Sequence, residues 1–132
     1  MQVKIDTKEK FTVITPNESH IYDNMTEQLV ADCRNILERN VKNAILDLKN
    51  VAEIDERPAE NIAMLQQKFY EHNASFVICE MKDTVEAVFE KLEVLDILNI
   101  TPTESEAWDI VQMEEIEREL LDTDDIEFNT NE

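Results

Sequence analysis

Asp55-Glu56-Arg57-Pro58 is the stretch of this chain whose residue types and position are best suited to recognition chemistry. It follows a short apolar step, Val51 to Ile54, and precedes an amphipathic helix. Two carboxylates and a guanidinium at a helix N-terminus can form charge-assisted hydrogen bonds with a second molecule. Residues 27–74 contain no serine or threonine, so this segment offers neither hydroxyl for phosphorylation. The side chains for which we predict partner contacts are Asp55, Glu56, Arg57, Glu60 and Asn61.

Nucleophilic and metal chemistry find little support in this sequence. The only serines are Ser19, Ser75 and Ser105, and the two histidines, His20 and His72, fall in different predicted elements. Glycine is absent, although average usage predicts about nine in a chain of this length. This absence excludes Walker, dinucleotide-binding and nucleophile-elbow motifs, which require glycine. The acids of residues 122–127 lack the glycine and the spacing of a calcium loop. We therefore expect no enzymatic activity, no cofactor and no metal site.

Strands and helices alternate in the elements that must position this loop. The expected strands are Val3–Ile5, Phe11–Ile14, His20–Tyr22, Ala44–Leu48, Ser75–Cys79 and Leu95–Ile100. The first expected helix is capped by Asp23, the second runs from Pro58 to about His72, and Asp83 or Thr84 caps the third. Thr103 and Glu106 form a capping box that opens the fourth. This order predicts the α/β class, with a mixed, largely parallel sheet and about four helices.

Two local expectations concern backbone geometry. Pro58 suits the first helical position, where its missing N–H is not needed, and Glu60 could then complete a capping box with the backbone of Arg57. In a chain without glycine, asparagine is expected to occupy left-handed positions at element ends. The candidates are Asn40, Asn50 and Asn73.

The apolar strand ILDL, the acidic loop and the following helix resemble the signature of the STAS domain, the fold of bacterial anti-sigma factor antagonists. The family pattern is apolar-Asp-Ser-Ser-Gly, and a partner kinase phosphorylates its second serine. Asp55 matches the aspartate, Glu56 and Arg57 stand where the serines would be, and Pro58 stands where the glycine would be. The element order agrees over Lys4 to Val111. The resemblance implies a partner-switching protein whose phosphoacceptor has been replaced.

Charge and composition bound the partners. The net charge is −19, and residues 113–132, with nine acids and one arginine, carry −8 of it. Such a field repels nucleic acid and favours a basic partner surface or simply solubility. No apolar run is long enough to span a membrane. Cys33 and Cys79 have no CxxC spacing, and we expect them to be buried and reduced, as in a cytoplasmic protein.

We expect a STAS-like domain over residues 1–112, followed at 113–132 by an acidic helical extension that ends in a mobile tail. The function predicted is that of a cytoplasmic, non-catalytic regulator that binds another protein. The resemblance implies either an anti-sigma factor of the serine-kinase type or another STAS protein as the partner. A small-ligand module that senses a nucleotide or lipid, and a scaffold subunit of a signalling assembly, are the alternatives. The sequence leaves the oligomeric state open.

Overall fold

The computed structural model describes the backbone of residues 1–131 and the side chains of residues 1–121. The strands are β1 (Val3–Thr7), β2 (Thr12–Pro16), β3 (His20–Ile21), β4 (Ala44–Asp47), β5 (Glu53–Ile54), β6 (Phe76–Cys79) and β7 (Ile100–Thr101). The helices are α1 (Thr26–Arg34), α2 (Glu56–Glu71), α3 (Asp83–Lys91) and α4 (Glu104–Asn131). Single 3-10 turns cover Asp23–Met25, Asn35–Glu38 and Leu95–Ile97.

Five strands form the main sheet in the order β1-β2-β4-β6-β7. β1 is antiparallel to β2, and every other neighbouring pair is parallel. The short strands β3 and β5 pair in parallel beside this sheet and place His20 opposite Glu53. The predicted α/β fold, with its mixed and largely parallel sheet and four helices, is confirmed.

Two apolar cores lie on the two faces of the sheet, because successive strand residues point in opposite directions. The α1, α2 and α3 side includes Leu46 and Phe76, and there the Phe69 ring lies 5.0 Å from the ring of Phe76. On the other side, Ile45 and Val77 pack against α4. Full burial on both faces explains why β4 and β6 are apolar except at Asp47, the last residue of β4.

Several predicted boundaries are wrong. Leu95–Ile97 form a 3-10 turn, and the last strand is only β7, which pairs with Ile78 and Cys79 of β6. Neither Asp23 nor Asp83 caps a helix with its side chain. Thr84 is inside α3, and its hydroxyl donates to the Ala52 carbonyl at 2.6 Å. The capping box of α4 is realised in one half, since the Glu106 N–H donates to Thr103 Oγ1.

Within residues 1–131, three residues have the left-handed backbone that glycine usually supplies: Asn73, Glu80 and Glu93, with φ of 55°, 58° and 60°. The prediction is confirmed for Asn73 and wrong for Asn40 and Asn50. Asn73 and Glu93 follow α2 and α3, where a left-handed residue lets the next N–H turn back to a helical carbonyl. Ala74 donates in this way to Phe69, and Val94 to Phe89.

Cys33 and Cys79 are buried, unpaired thiols, as expected. Burial raises the pKa of Cys33 to about 12, which keeps that thiol protonated. α4 continues past residue 112, as predicted for Gln112–Leu121. The mobile tail expected at 122–132 has its side chains outside the described residues and stays a prediction. Among residues 1–131, no helix has the length and apolar character needed to cross a membrane.

Candidate functional site

The loop between β5 and α2 is a single residue, Asp55, because α2 already begins at Glu56. The expected start at Pro58 is therefore wrong, and so is the capping box between Arg57 and Glu60. Asp55 is the N-cap, with the extended backbone (φ −74°, ψ 160°) typical of that position. Pro58 is tolerated as the third helical residue, since the first four N–H groups of a helix have no helical acceptor.

Asp55 turns its carboxylate away from its own helix and towards β3. Its Oδ1 lies 2.8 Å from Nε2 of His20, and its Oδ2 accepts the Asp23 N–H at 2.9 Å. Nδ1 of His20 lies 2.8 Å from Oε2 of Glu53. Asp55 thus holds the loop against the first residue of β3 and against the 3-10 turn that follows this strand.

The environment of His20 suits a doubly protonated imidazolium, because each ring nitrogen faces a carboxylate oxygen, which accepts hydrogen bonds. The Tyr22 ring stacks on it with centroids 3.8 Å apart and planes 5° apart, an arrangement that also favours a cation. The hydrogen bond with Asp55 raises the pKa of His20 against the opposing effect of desolvation, and the same bond lowers the pKa of Asp55. The pair is therefore ionic near pH 6.

The next two side chains reach two other helices. Glu56 forms an ion pair with Lys91 at the end of α3, with 2.7 Å between Oε1 and Nζ, and this contact raises the pKa of Lys91. Arg57 forms an ion pair with Glu27 of α1 and also donates to the Asp23 carbonyl at 3.2 Å. The Arg57 hydrogen bond lowers the pKa of Glu27. Three consecutive side chains therefore connect the start of α2 to β3, α3 and α1.

The remaining two predicted residues differ in their contacts. Asn61 donates to the Arg57 carbonyl one turn earlier, at 2.8 Å. Glu60 is exposed and has no hydrogen-bond or ion-pair partner among residues 1–121. Glu60 lines one open surface depression together with Asp23, Asp55, Glu56 and Arg57. Four of the five predicted residues thus share one surface, and Glu60 is the one free to pair with a second molecule.

The sequence did not point to His20, Tyr22, Asp23 and Glu27 as parts of this site. The contacts of His20, Asp23 and Glu27 with the loop join residues that are 30 to 35 positions apart, and Tyr22 stacks on His20. One signal was available: His20–Tyr22 was expected to be a short strand, and the parallel pairing of β3 with β5 brings His20 beside the loop. Neither the histidine nor the tyrosine could be assigned a role before that pairing was known.

Comparison with known proteins identifies one family and one fold. The model of a family described as STAS domain matches residues 2–107. No curated protein sequence matches the chain. A Thermotoga maritima protein described as an anti-sigma factor antagonist superimposes with a TM-score of 0.75 at 18% identity, over 83% of this chain and 94% of that one. Identities this low show the fold alone.

Two further solved structures superimpose over nearly their whole length. An anti-sigma-factor antagonist (STAS) domain protein from Planctomyces limnophilus gives a TM-score of 0.73 at 15% identity, over 83% of this chain and 97% of that one. The anti-sigma factor antagonist SpoIIAA in its unphosphorylated form gives 0.68 at 17% identity, over 84% and 96%. The protein described as the Bacillus cell fate determinant SpoIIAA has also been solved in a phosphorylated form.

Proposed function

The chain belongs to the STAS domain family, and from that premise we propose that it is a non-catalytic regulator that binds a partner protein through the surface at the start of α2. The proposed contact residues are Asp55, Glu56, Arg57 and Glu60, which line one depression, together with Asn61 beside them on α2. The observation that carries the proposal is the set of ion pairs that replaces the family's serines. Glu56 and Arg57 are held by Lys91 and Glu27, so the surface is already ordered before any partner arrives.

Such an arrangement supports contact more than chemistry. A surface fixed in advance loses little conformational entropy on binding, which favours affinity. Glu56 and Arg57 stand where the family pattern has its serines, so neither position carries a side-chain hydroxyl. We infer that binding is not interrupted by serine or threonine phosphorylation of this loop, so the protein acts as a constitutive partner.

The family resemblance suggests the class of partner. Solved relatives carry the name anti-sigma factor antagonist, and we propose that this chain likewise binds an anti-sigma factor of the serine-kinase type or another STAS protein. Asp23, Asp55 and Glu60 make the depression mainly acidic, which favours a partner with basic side chains there. We place this interaction in the cytoplasm, which the two reduced, buried cysteines support.

Affinity purification of the tagged protein, followed by calorimetry with the captured partner, tests this proposal. The variant is Glu60→Lys, which reverses the one carboxylate of the surface without an internal partner and should therefore leave the fold intact. We expect it to weaken binding by about tenfold or more, the effect of losing one well-placed charge contact. The matched control is Glu9→Lys, the same reversal in the exposed turn between β1 and β2. Equal affinity of both variants and the native protein would contradict the proposal.

A further inference from the structure

The inward face of α4 is used by the fold from Ala107 to Arg118. Ala107 and Val111 are buried against β4 and β6. One turn further on, Glu114 Oε1 accepts the Ser75 hydroxyl at 2.5 Å and Glu115 Oε1 accepts the Asn43 amide at 2.9 Å. Arg118 donates to both Asn43 and Ser75 at 3.2 Å. These bonds fix the rotation of α4 about its axis as far as Arg118.

The outward face of the same helix carries an apolar stripe. Met113, Ile116 and Leu120 follow one another at spacings of three and four residues, which places them on one side of a helix. Their exposed fractions are 59%, 54% and 55%. Since Ala107 and Val111 already cover the sheet, these three side chains have no role in the core.

Acidic side chains border the stripe. Glu106, Asp109 and Glu117 are exposed, and no basic side chain of residues 1–121 forms an ion pair with any of them. From Glu104 to Leu121 the helix has seven acids and one arginine. Glu106 and Asp109 precede the stripe along the helix, and Glu117 flanks it on one side. Uncompensated acids placed in this way beside an apolar stripe are complementary to a helix with apolar and basic side chains on one face.

A second copy of this chain is a poor occupant of the stripe. Two such helices would bring their negative rims together, and like charges placed side by side are unfavourable.

We propose that the outward face of α4, formed by Met113, Ile116 and Leu120 with the rim Glu106, Asp109 and Glu117, binds a basic amphipathic helix of a partner protein. α4 lies on the face of the sheet opposite α1, α2 and α3. The α4 face and the surface at the start of α2 can therefore be occupied at the same time. This arrangement makes the chain a bridge between two proteins.

The probe is a fluorescein-labelled peptide of about 21 residues with leucine at the a and d positions of each heptad and lysine elsewhere. Its binding is measured by fluorescence anisotropy. A matched peptide with glutamate in place of lysine measures the charge requirement. We expect the lysine peptide to bind the native protein with a Kd on the order of micromolar and the glutamate peptide not to bind. Binding of both peptides alike would overturn the proposed charge complementarity.

Two sets of variants test the location. The apolar set is Met113→Gln with Ile116→Gln and Leu120→Gln, and the rim set is Glu106→Gln with Asp109→Asn and Glu117→Gln. Each set should weaken binding of the lysine peptide by about tenfold. The matched control removes three exposed acids elsewhere, by Glu9→Gln, Glu38→Gln and Glu86→Gln, and should leave the affinity within about twofold. Circular dichroism confirms that all variants fold.

Two outcomes would overturn the proposal. If the control weakens binding as much as the rim set, the peptide is attracted only by the overall negative charge. If analytical ultracentrifugation shows a native dimer that the apolar set converts to a monomer, the stripe joins two copies of this chain instead.

Discussion

His20 and Asp55 are joined by a 2.8 Å contact between Nε2 and Oδ1, which connects the first residue of β3 to the N-cap residue of α2. The carboxylate that would cap α2 is used for this contact and for the Asp23 N–H instead. The loop therefore owes its conformation to a neighbouring strand and 3-10 turn, and the side chains that follow it are presented from a fixed base.

The first prediction concerns the pH dependence of this contact, tested with His20→Asn. Because the pKa of His20 is raised in the folded state, its contribution to the free energy of unfolding is complete below the unfolded-state pKa near 6.5. This contribution is lost as the pH rises through the higher folded-state pKa. The lowered pKa of Asp55 means that its contribution is present above 3.8 and is lost as the pH falls through the lower folded value.

Thermal unfolding of the native protein and His20→Asn between pH 5 and 9 checks this prediction [~, P134]. The native protein should have the higher Tm near pH 5 to 6, and the gap should narrow as the pH rises past neutrality [~, P129]. A gap that stays constant or widens above pH 7 would show that the imidazolium is not the stabilising form [~, P127].

The second prediction concerns the ion pair between Arg57 and Glu27, tested by a charge swap. Arg57→Glu alone places two carboxylates together and should lower the stability, and Glu27→Arg alone should do the same with two cations. The double variant restores opposite charges and should recover most of the loss. Urea unfolding of all four proteins gives the coupling, which high salt should reduce because both side chains are half exposed. Additive effects of the two single variants would mean that the pair contributes nothing.

The third prediction concerns Glu104, at the start of α4, and its neighbour Asp47, a buried carboxylate at the end of the central strand. Oδ2 of Asp47 has no hydrogen-bond donor among residues 1–121, and Nζ of Lys49 lies 3.6 Å from it. Burial and the neighbouring Asp47 raise the pKa of Glu104 at the start of α4. The proton on Glu104 is thus held more tightly in the folded state, and the benefit is lost as the pH rises through the folded pKa.

Glu104→Gln should therefore stabilise the protein at neutral pH. The amide can donate to Asp47, and its oxygen can still accept the indole N–H of Trp108, which now bonds Glu104 at 3.1 Å. We expect a gain of about 0.5 kcal/mol, since solvent screens this partly exposed group. Urea unfolding should show the gain at pH 7 and none near pH 4 [~, P127]. A loss of stability at pH 7 would mean that the carboxylate of Glu104 is needed as an anion.

The fourth prediction follows from the absence of glycine. Glu93 ends α3 with φ of 60°, a conformation that costs a non-glycine residue about 1–2 kcal/mol. Glycine removes this cost, but it loses more conformational freedom on folding, which lowers the free energy of unfolding by about 0.5–1 kcal/mol. Glu93→Gly should therefore raise the free energy of unfolding by about 0.5 kcal/mol. Glu86→Gly, in the middle of α3, is the matched control and should lower it by about 1 kcal/mol. A lower stability of Glu93→Gly would show that the glutamate side chain compensates for the backbone.

Periodicity was sufficient to predict the fold because burial determines it. β4 and β6 are apolar except at Asp47, the last residue of β4, because both of their faces are covered, and this pattern identifies them as central parallel strands. The last strand was overestimated because Leu95 and Leu98 pack on the core from a turn, and side-chain burial alone does not distinguish a turn from a strand. Glu80 and Glu93 show the same limit, since their left-handed geometry is set by the chain reversal around them.

The candidate site was predicted in part for a related reason. The acidic loop is continuous in sequence, so its residues and its place before α2 could be recognised. The helix start was misplaced by two residues because Pro58 is acceptable at either the first or the third position. His20, Glu27 and Lys91 could not be assigned, since their contacts with the loop depend on how α1, α3 and β3 are arranged in space.

The most direct measurement of the central claim is mass spectrometry after incubation with ATP and the proposed partner, an anti-sigma factor of the serine-kinase type. The native protein should carry no phosphate in residues 53–62, because that segment has no serine, threonine or tyrosine. Arg57→Ser supplies a hydroxyl where the family pattern has its second serine and serves as the positive control. We predict that the kinase phosphorylates this variant and releases it, and that the native complex survives ATP. A phosphate on residues 53–62 of the native protein, or ATP-driven release of the native complex, would contradict the account.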